Sequence, residues 1–215
     1  MKILLLSDVE DDYLWEYYQP GRLKDYDLML SAGDLKAEYL RFLVTMGRCP
    51  LLYIHGNHDT QYKGDAPEGC QCIEDKLITV NGLRILGLGG SPRYSVGEHQ
   101  YTEEQMRRRI RRLTLALYRA GGVDIVLTHA PPRHLGDGED MAHRGFEAFY
   151  TLLEKWQPQY LVHGHVHLNY NCGHGREQQW GQTKIVNAYR HWELDIEPSM
   201  RTRGEKTRSK ENGNE

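Results

Sequence analysis

Five short groups of acids, amide and histidines stand along this chain, each directly after an apolar run: Ser7-Asp8-Val9-Glu10, Gly33-Asp34, Gly56-Asn57-His58-Asp59, Thr128-His129-Ala130-Pro131 and Gly164-His165-Val166-His167. Carboxylate oxygen, amide oxygen and imidazole nitrogen are the donor types that hold first-row divalent metals. Donors set at the C-terminal ends of successive strands converge even when they are far apart in sequence. Taken singly, each group has a plainer reading: Asp8 as a helix cap, Gly33-Asp34 and Gly56-Asn57 as turns, Gly164-His165 as a loop with satisfied imidazoles. Their joint occurrence after successive apolar runs favours a split two-metal site, because caps and turns have no reason to gather so many metal-competent groups.

The elements that would position these groups are legible in outline. Short, unalternating apolar runs at residues 3–6, 28–30, 51–54, 125–127 and 161–162 are expected of strands buried on both faces. Helical spacing lies between several of them: Leu35, Tyr39, Phe42, Leu43 and Met46 stop at Gly47, and Phe146, Phe149, Tyr150, Leu153 and Trp156 stop before Pro158. This alternation predicts an α/β layered fold. Residues 77–80 turn at Asn81-Gly82 into 84–88, and 184–186 lead to 192–196; both pairs are expected to be antiparallel hairpins, which makes the sheet mixed. Thr102-Glu103-Glu104-Gln105 is a capping box opening a helix with the stripe Met106, Ile110, Leu113 and Leu117.

At 215 residues with a net charge of -3, the chain is expected to form one domain over 1–198, followed by a disordered charged tail over 199–215 that has nothing apolar to offset the cost of ordering. Met1 runs straight into Lys2-Ile3-Leu4-Leu5-Leu6 with no cleavage region, and no stretch approaches membrane-spanning length, so a cytoplasmic protein without membrane association is expected. Four irregularly spaced cysteines suit reduced thiols better than a disulfide framework.

The order Asp-x-Glu, Gly-Asp, Gly-Asn-His-Asp, His, Gly-His-x-His resembles the calcineurin-like metallophosphoesterases, over roughly Met1 to Glu197. The resemblance implies a four-layer α/β/β/α sandwich of two mixed sheets, with the metal site at the C-terminal ends of strands. It implies that Asp8, Glu10, Asp34 and His167 hold one metal, and that Asp34, Asn57, His129 and His165 hold the other, with Asp34 bridging. The activity implied is hydrolysis of phosphate esters, chiefly phosphodiesters of small or nucleotide-like substrates. A hydroxide between the two metals would attack phosphorus, and His58 would act as acid with Asp59 orienting or supporting it. One position departs from the pattern: Glu10 stands where the family commonly has histidine. If Glu10 ligates, three carboxylates and one imidazole make a harder site that favours Mn²⁺ or iron, with Zn²⁺ the further candidate; if it does not, that site is weak or empty.

Substrate contacts are expected from Asn57 and from the Gly-rich segment at 87–94, where Arg93 could meet phosphate and Tyr94 an organic group. His143, in the loop at 131–145, is a further candidate for the pocket. His163 is expected to be structural, since strand alternation points it away from His165, and His55 to be a strand-end residue able to support the site. Arg107, Arg108, Arg111 and Arg112 on the capped helix raise the alternative of a nuclease binding nucleic acid, against the plainer reading of a solvated face paired with acids. A non-catalytic scaffold with the same fold is the third class. The intact Gly-Asn-His-Asp argues against it, and Glu10 weakly for it.

Overall fold

A computed structural model of the protein describes residues 1–59, 62, 64–168 and 175–199. The expected tail from residue 200 onward, and Cys172, lie outside the described residues. In chain order the strands are β1 (Lys2–Ser7), β2 (Leu28–Ser31), β3 (Leu51–Tyr53), β4 (Gln71–Cys72), β5 (Lys76–Val80), β6 (Leu83–Leu88), β7 (Ser91–Pro92), β8 (Gln100–Tyr101), β9 (Ile125–Thr128), β10 (Tyr160–His163), β11 (Glu177–Trp180), β12 (Thr183–Asn187) and β13 (Arg190–Asp195). The helices are α1 (Ala37–Gly47), α2 (Glu103–Ala120) and α3 (Tyr150–Trp156).

Two large mixed sheets result. One runs β13-β1-β2-β3-β4 and the other β11-β12-β10-β9-β6-β5, with β7 and β8 paired separately. Their interiors are parallel, and the antiparallel pairs β1 with β13, β5 with β6, and β11 with β12 lie toward the edges. Every residue of β2, β3, β6 and β9 is buried, which accounts for the unalternating apolar runs.

Three apolar clusters explain how the layers hold. Ile3, Leu5, Leu28, Leu30 and Leu52 of the first sheet pack with Ile85, Ile125, Leu127, Val162 and Val186 of the second. Alternate residues face the other way, Leu4, Leu6, Met29 and Leu51 against Tyr39, Leu40 and Leu43 of α1. Leu86, Leu88, Val126 and Leu161 pack against Met106, Ile110, Leu113 and Leu117 of α2 and Leu152 and Leu153 of α3. Burial of this extent is the main favourable term in folding. Among the described residues no helix is long and apolar enough to cross a membrane.

Local signals fix the element ends. Thr102 and Gln105 make the reciprocal capping box of α2, which ends at Gly121 with φ 73°. Asn81 and Gly82 both take positive φ, as a tight turn between β5 and β6 requires. The second expected hairpin is corrected: β12 does not pair with β13. Instead the chain leaves the second sheet after Asn187 and enters the first at Arg190, where β13 pairs with β1. The true hairpin partner of β12 is β11, Glu-Gln-Gln-Trp, joined through Gly181. It is a half-exposed edge strand with one large apolar residue, so hydrophobic patterning did not mark it.

Ser199, where the tail was expected to begin, donates through its backbone amide to Asp124 at 3.3 Å, and Arg84 donates to its hydroxyl at 2.6 Å.

Candidate metal centre

The loops after β1, β2 and β3 of one sheet meet the loops after β9 and β10 of the other. Asp8, Asp34 and His165 all take positive φ, 66°, 58° and 67°. A left-handed conformation is uncommon outside glycine, though Asp and His are enriched there, and it clusters where side chains are re-aimed for function. Two glycines permit the closeness. A Cβ on Gly33 would lie 2.3 Å from the Gly56 nitrogen, and one on Gly56 would lie 2.0 Å from an Asp34 carboxylate oxygen. The Gly33-Asp34 and Gly56-Asn57 turns therefore touch back to back, at a spacing that no larger residue allows.

The donors converge in this seam. Ligand-type atoms of Asp8, Asp34 and His129 all lie within 4.8 Å of one another. His129 is fully buried, and its Nδ1 lies 2.7 Å from the Ala32 carbonyl oxygen, which makes Nδ1 the donor there. Its Nε2 is thereby aimed at the Asn57 Oδ1 at 3.0 Å and the Asp34 Oδ2 at 3.2 Å. A backbone carbonyl holding one ring nitrogen so that the other faces the site is the arrangement that orients metal-binding histidines. Asp34 Oδ1 accepts from the His58 amide at 2.8 Å, and both Asp8 oxygens accept from the His165 amide at 2.9 and 3.0 Å.

Asp8, Asp34, Asn57, His58, Tyr94, His143, His165 and His167 line one cleft of about 200 Å³.

The charges in the seam act strongly on one another. Burial works against a charged His129, but the Asp34 and Asp8 carboxylates outweigh it and lift the imidazole to about 9. Burial likewise opposes ionisation of Asp34, yet His129 and the His58 amide bring it to about 2. Asp8 is raised, burial outweighing the pull of His129. Burial and the His129 charge push His165 down to about 3. A buried imidazolium proton thus sits among two carboxylates and an amide oxygen, and that donor set fits a divalent cation of the oxygen- and nitrogen-binding class.

The remaining residues singled out in sequence fall as follows. Asp59 is buried behind the turn, where its Oδ2 accepts from the Gly56 and Asp34 amides, both at 2.8 Å, and burial followed by Asp34 raises it to about 6. It stabilises the turn that carries Asn57 and His58. Tyr94 accepts from the Asn57 Nδ2 at 3.1 Å, an orientation of the amide that turns Oδ1 toward His129. His143 packs on His165 with ring centres 5.6 Å apart and holds Asp140 at 2.9 Å. His167 packs on Tyr189 at 4.8 Å. His165 Nε2 donates to the Ala142 carbonyl at 2.6 Å, so its Nδ1 is the nitrogen left to accept.

Two residues lie elsewhere. Arg93 is exposed and donates to Gln105 at 3.2 Å. The Glu10 carboxylate accepts from the Lys36 amide at 3.1 Å and lies 3.8 Å from its Nζ, capping α1, whose N-cap residue Lys36 makes no side-chain cap of its own. His163 is buried, directed to the Gly164 carbonyl at 2.9 Å and lowered to about 4 by burial. On α2, Arg111 pairs with Glu104 at 2.8 Å and Arg107 with Glu147 at 4.0 Å. Sequence reasoning missed Glu74 and Arg109, which pack behind the Asn57 turn; a lone acid and an arginine inside a basic run carry no local signal.

A family model described as calcineurin-like phosphoesterase matches residues 1–169, a span that holds all five motif groups. Two curated relatives from Caenorhabditis elegans are similar to the chain. UPF0046 protein T07D4.2 is 31% identical over 121 residues, 54% of this chain and 27% of the relative. UPF0046 protein K07C11.7 is 22% identical over 216 residues, 87% of this chain and 69% of the relative. The chain thus spans only 27% of the length of the first. Among solved structures, one crystal structure aligns over 90% of this chain and 94% of its own, with TM-score 0.65 and 16% identity. The protein TT1561 of Thermus thermophilus aligns over 87% of this chain and 88% of its own, with TM-score 0.62 and 16% identity. At such identities the likeness is one of fold.

Proposed function

The chain belongs to the calcineurin-like phosphoesterase family, whose activity is metal-dependent hydrolysis of phosphate esters, and on that premise we propose that it is a dinuclear phosphodiesterase acting on small, nucleotide-like substrates. The observation that carries the reading is the convergence of Asp8, Asp34 and His129 from two sheets within 4.8 Å, beneath a cleft that His58 also lines. Asp34, whose carboxylate accepts from the His58 amide and faces His129, would be shared between two metals. Asp8 and His167 would hold one, and Asn57, His129 and His165 the other. Two divalent cations, Mn²⁺ or iron, would supply Lewis-acid polarisation of the phosphoryl oxygens and a nucleophile at neutral pH.

The chain's own groups do the rest. The His58 amide is tied to Asp34, so its imidazole stands over the pocket and serves as the acid for the departing oxygen. Tyr94 fixes the Asn57 amide and keeps its own hydroxyl proton for a substrate oxygen. His143 flanks the opening. A cleft of about 200 Å³ admits a phosphoryl group with a small organic substituent. Of Arg107, Arg108, Arg111 and Arg112, all exposed on α2, two pair with acids, which favours a solvated face over a nuclease.

The test is elemental analysis of the purified protein followed by assay with Mn²⁺ on bis-p-nitrophenyl phosphate against p-nitrophenyl phosphate. Two metals per chain and preference for the diester are expected. Preference for the monoester would turn the reading to a phosphatase, and inactivity with every metal would turn it to a scaffold.

A further inference from the structure

Behind the Asn57 turn, on the side away from the cleft, lies a charged group that the sequence motifs do not include. Arg109, in the second turn of α2, is buried, its side chain only 7% exposed. Its Nη2 donates to a Glu74 carboxylate oxygen, its Nη1 to the Gly89 carbonyl at 2.8 Å and its Nε to Asp75 at 2.7 Å, while its guanidinium lies over the Tyr101 ring at 4.2 Å. Glu74 is mostly buried too. It accepts from the His55 amide at 3.1 Å through one oxygen and from the Gly89 amide at 3.1 Å through the other. Burial alone would raise its carboxyl, but the His55 contacts and Arg109 hold it below the ordinary value, so both partners are charged.

The pair therefore joins the end of β3 to the end of β6. The join continues across the seam: the Gly90 amide donates to the His55 carbonyl at 2.8 Å, and the Ala130 amide to the Gly90 carbonyl at 3.4 Å. His55 is two residues before Asn57, Ala130 directly follows His129, and Gly90 opens the loop that carries Tyr94. There is no slack at the junction, since a Cβ on Gly89 would lie 2.3 Å from the His55 carbonyl oxygen and 2.4 Å from Glu74. A buried charged pair carries a cost in desolvation, and specificity of structure is one reason to retain it. Here it lies on the backbone segments next to two candidate ligands and Tyr94.

We infer that Glu74 and Arg109 are positioning residues for the metal centre: they set the distance between the Asn57 turn and the His129 and Tyr94 loops. This rests on the phosphoesterase reading. Neither residue touches substrate or metal; each acts through His55, Gly89 and Gly90. Partners that hold a ligand from behind change metal affinity or activity about 10- to 100-fold when removed.

The test compares wild type with Glu74→Gln, Arg109→Met and Arg109→Lys. Mn²⁺ affinity is read by titration calorimetry, and diester hydrolysis as separate kcat and KM values, on protein whose circular dichroism matches wild type. Glu74→Gln and Arg109→Met are expected to weaken Mn²⁺ binding about tenfold and to lower kcat about 10- to 100-fold. KM should change less than kcat, since neither residue lines the cleft itself. Arg109→Lys keeps the charge but loses the fork, and should recover part of kcat.

Should Arg109→Met fail to fold because Glu74 is left uncompensated, Glu74→Gln and Arg109→Lys carry the test. Wild-type Mn²⁺ affinity and kcat in those two folded variants would overturn the inference, even with a lowered melting temperature. A wild type that neither binds Mn²⁺ nor hydrolyses the diester overturns the phosphoesterase reading itself and the inference with it.

Discussion

The two sheets bring unlike halves to one seam. The sheet of β1, β2 and β3 brings oxygens, from Asp8, Asp34 and Asn57, and the sheet of β9 and β10 brings nitrogens, from His129, His165 and His167. The Asp34 and Asp8 oxygens are held by backbone amides, those of His58 and His165, and the His129 and His165 nitrogens by backbone carbonyls, those of Ala32 and Ala142. Two of these partners come from the opposite sheet: Asp8 accepts from His165, and His129 donates to Ala32. Neither half is complete alone. The Asp34 and Asp8 carboxylates favour a proton on His129, and a cation bound at this seam would compete with it.

Asp34→Asn should break the pairing of the halves most severely. Diester hydrolysis is expected to fall on the order of 10³-fold, with loss of bound metal in elemental analysis; unchanged turnover would remove Asp34 from the bridging role. Next, His58→Ala should lower kcat by about 10²-fold while metal content stays as in wild type, which separates the proton-handling group from both halves. Normal turnover in that variant would end the role.

Acidity probes the competition between proton and metal. His129 in the metal-free protein is lifted from its ordinary 6.5 to about 9, so it carries a proton at neutral pH that a cation must expel. Mn²⁺ affinity should therefore rise about tenfold per pH unit from neutrality toward about 9 and then level off. Calorimetry in buffers of differing ionisation heat counts the released proton, and a count of zero contradicts the picture. In the metal-free state the sign is opposite. The raised value stabilises the fold fully below about 6.5, and that contribution is lost as pH climbs through about 9.

Smaller effects sharpen the comparison. Asp59→Ala leaves the Gly56 and Asp34 amides without their acceptor and should cost about 2 kcal/mol in urea unfolding of the metal-free protein; a midpoint equal to wild type would mean that the turn holds itself. Glu10→Ala should cost only about 0.5–1 kcal/mol, the value of a helix cap, with metal stoichiometry unaltered. Loss of one metal in that variant would instead add Glu10 to the oxygen half.

The sequence made some of this legible and hid the rest for physical reasons. Interior parallel strands declare themselves, because burial on both faces demands continuous apolar runs such as Leu28-Met29-Leu30. An edge strand such as β11 need only pair its backbone, and its side chains leave no trace. Residues 184–186 and 192–196 suggested a hairpin because pattern reveals strand identity but not which sheet a strand joins. The motif groups are visible since they gather rare donor types in short spans. By contrast Glu74 and Arg109 lie 35 residues apart, and their meeting depends on how α2 packs. Arg93 and Tyr94 show the limit of placing a loop without its turns: adjacent in sequence, one stands on α2 and the other lines the cleft.

The contact between Asp8 and the His165 amide spans 157 residues of chain. Such separation makes loop closure entropically slow, so this contact belongs to the late stages of folding. The acids of the first strands must be made, and kept soluble, long before their imidazole partners exist. A divalent ion held by both halves would stabilise only the assembled seam, by mass action. Metal supply would then govern how long the finished molecule lasts.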